Sequence, residues 1–371
     1  MSGLSKILQI GNYPPPMCGW AIQTKLVTEE LRRRGHVCDV LKINENREVK
    51  DPAYIDVQGG WDYFVKVLSH GLRGYRLNIH VNGMSKKGYL LALAAVLVGR
   101  LVFRPTLLTF HGGLNQDYFP RPDSPKLRFA FRWLFRLAGG IACDSPEIVT
   151  AIVEYGIPPE KVTAIATFSS QYLNFDTSRL APEIESFLAS HQPAFFSYVS
   201  FRAEYRLEVL REGMARYRKL YPKAGFVWLG FPAKEMPMAE DFVKDWPQDE
   251  RQSLLLLGNL THDQFLTLMT SCYACLRTPA CDGVAASVLE ALALGVPVVA
   301  SENGRRPSGV ITYEDMSAED MCAKLVHLTQ HYEEIKARTR PDSADDNVGR
   351  MADWLAGEPA ARVRPEVAHA R

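Results

Sequence analysis

Apolar residues along the first half of the chain form short runs, separated by stretches in which they recur at helical spacing. The runs at residues 6–10, 37–43, 77–81, 107–110 and 140–143 predict β-strands. Between the first two runs, Ile22, Val27 and Leu31 share one face of a predicted helix, and Gly35 ends it. Strand, helix and strand at this spacing predict parallel β-α-β units.

The pattern then breaks in a stretch rich in serine, asparagine, aspartate and proline, after which a second series of strands begins. Its runs lie at 194–200, 225–229, 253–257, 273–277 and 297–300. We therefore predict an N-terminal domain at 1–172, a linker at 173–192 and a C-terminal domain at 193–336. Residues 337–371 are predicted to add one helix, which can pack back on the N-terminal domain, and a mobile tail.

Each series of strands is typical of a doubly wound α/β domain, in which ligands bind at the carboxyl ends of the parallel strands. Two such Rossmann-like domains facing each other across a cleft are the predicted architecture. The length agrees with it, because 371 residues with 47% hydrophobic side chains can form two cores.

Charge and cysteine content narrow the class of protein. The 43 basic and 42 acidic side chains leave a net charge of +1, which gives no reason to expect a nucleic-acid partner. The seven cysteines are odd in number and scattered, so a disulfide framework is not expected and a reducing compartment fits. Cys272 and Cys275 form a single C-x-x-C in a strand-like run, without the second ligand pair of a metal site.

The start of the chain lacks the pattern of a signal peptide, and the longest apolar run, at 89–98, is too short for a membrane span. We therefore expect a cytoplasmic protein. Two basic segments, at 84–104 and 121–138, carry apolar or aromatic residues among their positive charges. This pattern is typical of core helices with a solvated basic face, and also of helices lying on an anionic membrane surface.

Two loops place glycine and polar residues at predicted strand ends. Gly19 precedes the first helix, where a missing side chain lets backbone N–H groups approach a phosphate. His111 ends a strand and is followed by two glycines, which leave room for a ligand beside the imidazole. The first loop alone is equally typical of an ordinary strand-to-helix turn. His111 could also be a structural histidine in a turn, but its position at a strand end favours a ligand site. Since the first loop lacks G-x-G-x-x-G, and no acidic residue ends the second strand, a nicotinamide cofactor is disfavoured.

The strongest local signal is the run D-G-V-A-A-S-V-L-E-A-L-A-L-G-V-P-V-V-A-S at 282–301. Its candidate site residues are Asp282, Gly283, Val284, Ala285 and Glu290. A glycine opens the predicted helix, whose first N–H groups offer an anion site. Eight positions turn a helix about 80° past two full turns, so Asp282 and Glu290 must serve different contacts. The two carboxylates could also be a helix cap and a solvated side chain, but apolar neighbours disfavour solvation of Glu290.

This block, preceded in the chain by Gly19 and His111-Gly-Gly, resembles the retaining GT-B glycosyltransferases of family 4. The resemblance covers nearly the whole chain. It implies transfer of a sugar from a nucleotide diphosphate sugar, which is a co-substrate and not a bound cofactor. The donor would be held mainly by the C-terminal domain. The acceptor, a saccharide that in bacterial members is commonly polyprenyl-linked, would be held by the N-terminal domain during cell-surface or exopolysaccharide assembly at the inner face of the membrane.

The resemblance also implies roles for single residues. Glu290 would hydrogen-bond the donor ribose, and Asp282 would contact hydroxyl groups of the transferred sugar. The helix start after Gly283 would hold the diphosphate. His111 would touch the sugar near the reacting carbon, and Gly19 would let the first loop close over the phosphates.

Members of the family place an arginine and a lysine after the first strand of the second domain, where they neutralise the leaving diphosphate. This chain has Arg202 and Arg206 there, with a gap one residue shorter and arginine in the second position. Arg206 can still bind phosphate oxygens in pairs. Asp282 replaces the usual glutamate and shortens its reach by one methylene group. No carboxylate cluster typical of a metal site is recognisable, so we expect metal-independent transfer that relies on stabilising the leaving group.

Other functions fit parts of the pattern. A nucleotide-sugar epimerase of the same architecture would need neither an acceptor groove nor a basic membrane face. A non-catalytic GT-B scaffold would bind a partner or lipid without releasing nucleotide. A glycosidase is disfavoured, because the two carboxylates belong to a phosphate-binding helix start and not to opposing walls of a sugar groove.

Overall fold

The structure is a computed structural model that describes residues 4–15, 18–44, 50–111, 113–114, 116–280, 285–339 and 345–358. It divides into two compact units. The first contains Met1–Thr167 and Asp346–Arg371, and the second contains Phe168–Asp345. Each unit is built on a parallel sheet.

The first unit contains alternating strands and helices, as predicted. Its strands are β1 (Lys6–Gly11), β2 (Val37–Lys42), β3 (Arg76–Asn82), β4 (Leu107–His111), β5 (Gly140–Cys143) and β6 (Val162–Ala164). Its helices are α1 (Gly19–Arg33), α2 (Gly60–Leu72), α3 (Lys86–Leu101), α4 (Pro125–Leu137), α5 (Pro146–Val153) and α14 (Asn347–Ala356). Among the described residues the strands form one sheet in the order β2-β1-β3-β4-β5-β6.

Both faces of the first sheet are covered, because successive side chains of a strand point to opposite faces. Leu8 packs in a core with residues of α2, α3 and α4, such as Val67 and Val96. Its neighbour Ile7 packs in a separate core with α1 and α14, which includes Leu355. Strands covered on both faces read as nearly continuous apolar runs, and this is why the pattern predicted them.

The second unit repeats this plan with a different strand order. Its strands are β7 (Ala194–Tyr198), β8 (Gly225–Leu229), β9 (Leu254–Leu256), β10 (Ala274–Arg277), β11 (Val298–Ser301) and β12 (Val310–Tyr313). Its helices are α6 (Pro182–Ser190), α7 (Leu207–Leu220), α8 (Met236–Val243), α9 (Gln248–Gln252), α10 (His262–Ser271), α11 (Ala286–Ala293), α12 (Ala318–Gln330) and α13 (Tyr332–Arg338). In the described chain the sheet order is β12-β11-β10-β7-β8-β9, the order of a Rossmann domain.

The unit boundaries differ from the predicted domain boundaries. The second unit begins at Phe168 and ends at Asp345, so the segment predicted as a linker at 173–192 lies inside it. Leu180 and Ile184 of that segment are buried in a core of the second unit. The polar residues that interrupt the hydrophobic pattern therefore belong to a segment that packs onto the sheet through a few apolar side chains.

The last helix of the described chain, α14, returns to the first unit. It packs against α1, and its Val348, Met351 and Leu355 are buried in the core that they share. Arg34, at the end of α1, forms ion pairs with Glu30 of α1 and Asp353 of α14. These ion pairs lie at the edge of the apolar contact between the two helices.

The described cysteines are all free. Burial raises the pKa of both thiols of the C-x-x-C, that of Cys275 to about 12, so neither is a reactive thiolate at neutral pH.

In the described ranges no group of three or more histidine, cysteine, aspartate or glutamate side chains is arranged to hold a metal ion. Of the helices described, none is both long and apolar enough to cross a membrane.

Candidate functional site

Each sheet has one point at which the strand order reverses, and in doubly wound domains ligands bind there, beyond the carboxyl ends of the strands. In the first unit this point lies between β1 and β3. In the second unit it lies between β7 and β10. The predicted site residues that are described follow or end strands of these two sheets, or lie on helices next to them.

In the first unit, Gly19 is the first residue of α1. Cys18 occupies the N-cap position with an extended backbone, and its side chain has no oxygen with which to cap the helix. The indole Nε1 of Trp20, in the first turn, is buried and has no hydrogen-bond partner among the described residues. This helix start can therefore receive an oxygen-rich ligand.

His111 is the last residue of β4, and only 6% of its surface is exposed. Its Nε2 lies 3.0 Å from Nδ1 of His80, and its Nδ1 lies 3.4 Å from both Thr167 Oγ1 and Asp144 Oδ1. Thr167 donates a hydrogen bond of 2.6 Å to the same Asp144 oxygen. Both ring nitrogens of His111 thus face protein groups, and the strand end presents a linked group of side chains in place of a single imidazole. The next residue of the motif, Gly112, lies outside the described residues.

His80 was not predicted from the sequence, although a signal was present. In β3 the polar residues Asn78, His80 and Asn82 alternate with the apolar residues Leu77, Ile79 and Val81. Alternation in a sheet that is covered on both faces places the polar side chains together on one face. The apolar residues of this run predict a strand, and the polar residues between them predict a polar face on it.

In the second unit, Glu290 lies within α11 and is 3% exposed, so the interpretation as a solvated helix residue was wrong. One of its carboxylate oxygens lies 3.0 Å from Nε2 of His262, the first residue of α10. Thr261 and Gln264 form a capping box that fixes the start of this helix. His262 lies 28 residues from Glu290 in the chain, and nothing in the sequence pairs them.

The remaining residues of the 282–301 block are described only in part. Asp282, Gly283 and Val284 lie outside the described residues. Ala285 is the N-cap residue of α11 and has an extended backbone. Gly295 ends the helix region with φ of +72°, a left-handed conformation that glycine adopts without strain.

Arg202 and Arg206 follow β7, as predicted, and line one cavity of about 440 Å³ beside Phe201, Leu207 and Phe242. Arg202 is exposed. Arg206 is the N-cap of α7 and has φ of 50° and ψ of 43°, a left-handed conformation that is uncommon for arginine. The two guanidinium groups belong to the same concave surface at the start of a helix, where an anion is favoured.

Two of the three guanidinium nitrogens of Arg206 have partners in the protein. Its Nη1 donates to the carbonyl oxygen of Ala203, and its Nη2 lies 3.7 Å from Asp315. Its Nε is buried and has no hydrogen-bond partner among the described residues. A buried donor of this kind is costly unless a ligand satisfies it, and strained residues with such donors concentrate at functional sites.

Two further arginines lie at the carboxyl edge of the second sheet and were not predicted. Arg277 ends β10, is 7% exposed, and donates to the carbonyl oxygen of Tyr198 across the point of strand reversal. Arg306 donates to the carbonyl oxygens of Ser301 and Pro279, and so ties together the segments that follow β10 and β11. Positive charge therefore gathers at the edge where a diphosphate is expected.

The two basic segments of the first unit form parts of α3 and α4. Phe131, Leu134 and Phe135 of α4 are buried in the core, as one interpretation predicted. Other large apolar side chains are exposed: Trp61, Val65 and Leu72 on α2, Leu90, Leu97 and Leu101 on α3, Phe103 after it, and Phe129 and Trp133 on α4. Since α3 contacts both α2 and α4, these side chains extend over three neighbouring helices.

Residues 19–168 match the family model described as Glycosyltransferase Family 4. No curated protein matches the chain significantly. A glycosyltransferase from Rickettsia africae is similar in structure, with 13% identity, a TM-score of 0.67, and coverage of 94% of this chain and 98% of that one. The Anabaena protein Alr3699/HepE in complex with UDP-glucose has 12% identity, a TM-score of 0.66 and coverage of 94% and 98%.

A putative UDP-N-acetylglucosamine 2-epimerase from Listeria monocytogenes is also similar in structure. It has 12% identity, a TM-score of 0.65, and coverage of 96% of this chain and 98% of that chain. At these identities the likeness shows the fold, a pair of Rossmann-like domains that transferases and epimerases share. The expected α/β architecture is thereby confirmed.

Proposed function

We propose that the chain, which has two Rossmann-like domains and matches the Glycosyltransferase Family 4 model over residues 19–168, is a retaining hexosyltransferase acting in bacterial cell-surface or exopolysaccharide biosynthesis. It takes a sugar from a nucleotide diphosphate sugar and transfers it to a saccharide acceptor carried on a polyprenyl lipid. The observation that carries this proposal is the pair Arg202 and Arg206 on one cavity, with an unpartnered buried Nε on Arg206.

The proposed reaction breaks the bond between the anomeric carbon and a diphosphate oxygen, so negative charge grows on the leaving group. Arg202 and Arg206 are positioned to stabilise that charge, and interactions that strengthen in the transition state are the ones that raise the rate. The acceptor hydroxyl attacks the face from which the diphosphate leaves, and its proton passes to the leaving phosphate. This keeps the anomeric configuration without a covalent intermediate on the protein.

The proposed donor site lies in the second unit. Glu290 binds the ribose hydroxyls, because a buried carboxylate next to His262 is a strong hydrogen-bond acceptor. The backbone that starts α11 and the residues Asp282, Gly283 and Val284 hold the diphosphate and the sugar. The complex of the similar Anabaena protein with UDP-glucose supports a nucleotide sugar as donor.

We propose that transfer needs no divalent metal ion. The arginines at the carboxyl edge of the second sheet supply the positive charge that a metal would otherwise provide. Activity in the presence of excess EDTA is therefore expected to equal activity with added Mg²⁺ or Mn²⁺. Loss of activity in EDTA that returns with one of these ions would contradict this part of the proposal.

The proposed function is tested by a screen of nucleotide sugars for thermal stabilisation of the full chain, followed by product analysis. One class of donor is expected to raise Tm, and nucleotide diphosphate release is expected only when a lipid-linked saccharide is added. Formation of an epimer from UDP-sugar alone would establish the epimerase alternative. Donor binding without any release would indicate a non-catalytic scaffold.

We also propose that the first unit attaches to the cytoplasmic face of the membrane, where a polyprenyl acceptor lies. Helices α3 and α4 contain no acidic residue, and their basic side chains accompany exposed leucine, phenylalanine and tryptophan. Apolar side chains that enter the headgroup region and basic ones that meet anionic lipids act together in such contacts.

Full-length protein is expected to co-sediment with vesicles containing phosphatidylglycerol and to remain in solution with pure phosphatidylcholine. The change Lys86→Gln with Lys87→Gln is expected to weaken binding by about 30-fold, at about 1 kcal/mol for each lost charge. Phe129→Ser with Trp133→Ser should weaken it as well. The control is Lys219→Gln with Lys223→Gln, two exposed lysines of the second unit, which should bind as the native chain does. Equal binding to both kinds of vesicle would contradict the charge argument.

A further inference from the structure

His80 is buried in β3 at the point of strand reversal of the first sheet. Gly11, the last residue of β1, lies against its ring. A Cβ atom on Gly11 would lie 2.9 Å from Cγ of His80, closer than such atoms approach in proteins. The missing side chain at position 11 therefore makes the space that the imidazole fills.

The hydrogen on His80 can be placed from its neighbours. Its Nε2 lies 3.2 Å from Oε1 of Gln9, and Gln9 uses its Nε2 to donate to the carbonyl oxygen of Thr24. Because a carbonyl oxygen only accepts, the orientation of the Gln9 amide is fixed, and His80 Nε2 must carry the hydrogen. The amide Nδ2 of Asn78 lies 3.1 Å from the same nitrogen, so two donors would face each other there. A half turn of the Asn78 amide brings its oxygen to the N–H, and the Thr109 hydroxyl, which now donates to Asn78 Oδ1, can accept from the turned amide instead.

With its hydrogen on Nε2, His80 has a lone pair on Nδ1, and Nε2 of His111 lies 3.0 Å away. The two ring planes differ by only 19°, and the ring centroids are 5.2 Å apart. With the two nitrogens 3.0 Å apart, the centroids can be this far from each other only if both nitrogens lie close to the line that joins them. The two nitrogens therefore point at each other. Burial, and then the nearby His111, hold the pKa of His80 well below its usual value, so it stays a neutral acceptor.

We propose that His80 is a positioning residue that keeps a hydrogen on Nε2 of His111 and leaves Nδ1 as an acceptor that faces Thr167. The Thr167 hydroxyl, which lies 3.4 Å from Nδ1, can turn its hydrogen from Asp144 to this nitrogen. Asp144 lies beside them. The Asp144 side chain is 26% exposed, so Asp144 and Thr167 form the solvent-accessible end of this cluster of side chains around His111. The edge of the Trp20 ring packs against His111 with centroids 4.5 Å apart and closes the other side. The hydroxyl of a bound sugar would then meet an imidazole edge and a carboxylate of fixed orientation. The kinetic part of this inference rests on the proposed function, whereas the tautomer does not.

The first experiment measures the tautomer directly. The full chain is labelled with [15N]histidine, and the signals of His111 among the nine histidines are assigned by their loss in His111→Asn. The native protein is expected to show the Nε2–H tautomer at His111. In His80→Phe, which keeps a ring but removes the acceptor, the signals should move toward a mixture of tautomers. In His80→Gln, which keeps an acceptor oxygen, they should stay. A native Nδ1–H tautomer, or unchanged signals in His80→Phe, would overturn the proposal.

The second experiment separates positioning from loss of fold. Gly11→Ala keeps every polar group of the network but displaces the His80 ring, so it should change the His111 signals as His80→Phe does. Both variants are expected to lower kcat by on the order of 100-fold with little change in donor KM, and His80→Gln should recover much of the loss. Unchanged kcat despite an altered tautomer would refute the positioning role. If the native chain transfers no sugar while its tautomer is as expected, the proposed function fails and the structural part of the inference stands.

Discussion

Replacing Arg206 by alanine is expected to lower kcat for sugar transfer by about 100-fold to 1,000-fold, the usual effect of removing one group that stabilises charge in a transition state. Arg206 lies at the start of α7 with a buried Nε that has no partner in the described chain, and under the proposed function a diphosphate oxygen is the acceptor for it. The measurement is acceptor-dependent release of nucleotide diphosphate at saturating donor. Arg206→Lys should retain part of the rate, because it keeps the charge but not the paired donors.

The matched control is Arg216→Ala on the same helix. Arg216 is exposed and forms an ion pair with Glu212, four residues before it, so its loss should leave the rate unchanged. Full activity in Arg206→Ala would remove Arg206 from the site.

The variant Arg206→Gly distinguishes loss of activity from loss of fold. Glycine adopts the left-handed conformation of residue 206 without the penalty of about 1 kcal/mol that a side chain causes. The free energy of unfolding is therefore expected to rise slightly while activity falls as in Arg206→Ala. A variant that is both more stable and inactive would show that the strain at this position serves function.

Replacing Glu290 by glutamine is expected to raise the Kd for the nucleotide diphosphate by about 30-fold, because hydrogen bonds to a charged group contribute about 2 kcal/mol. The substitution keeps the size of the side chain and one acceptor oxygen for His262, which lies 3.0 Å from the carboxylate. The change should thus appear in donor binding, measured by calorimetry, and much less in stability. Glu290→Ala should weaken binding further and also destabilise the second unit, because it leaves a cavity and an unpaired histidine.

Glu319→Gln is the control for this series. Glu319 is an exposed residue in the first turn of α12, and its neutralisation should not alter nucleotide binding. Native affinity in Glu290→Gln would show that the buried carboxylate serves the packing of α10 and α11 and does not contact the donor.

The fold followed from the hydrophobic pattern where strands are long enough to show it. Every predicted strand is present, including the first at Lys6–Gly11 and the buried pair β10 and β11. The strands β6 and β12 were not predicted, because each is short and alternates with the polar side chains of Thr163 or Thr312, whereas the equally short β9 is a continuous run of leucines. The segment 173–192, predicted as a linker between the domains, lies inside the second unit, since its packing depends on isolated apolar side chains such as Leu180 that give no pattern in the sequence.

The candidate site divides in the same way. Glu290 and Arg206 were identified because residue type, neighbours and spacing along the chain all point to them. His262 and Arg277 were missed, because their partners are brought close only by folding: His262 meets a carboxylate 28 residues away, and Arg277 meets a carbonyl group on another strand. The role of Asp282 stays a prediction, since it lies outside the described residues.

The position of α14 has a consequence for the order in which the chain becomes folded during synthesis. The first unit needs Met351 and Leu355 to cover Ile7 and Leu31, and these residues are made more than 300 positions later. Until they leave the ribosome, one face of the first sheet keeps an apolar surface open, while the whole second unit has already been made. The first unit is thus completed last, and exposed apolar surface of this kind makes a partly folded chain prone to aggregation during that interval.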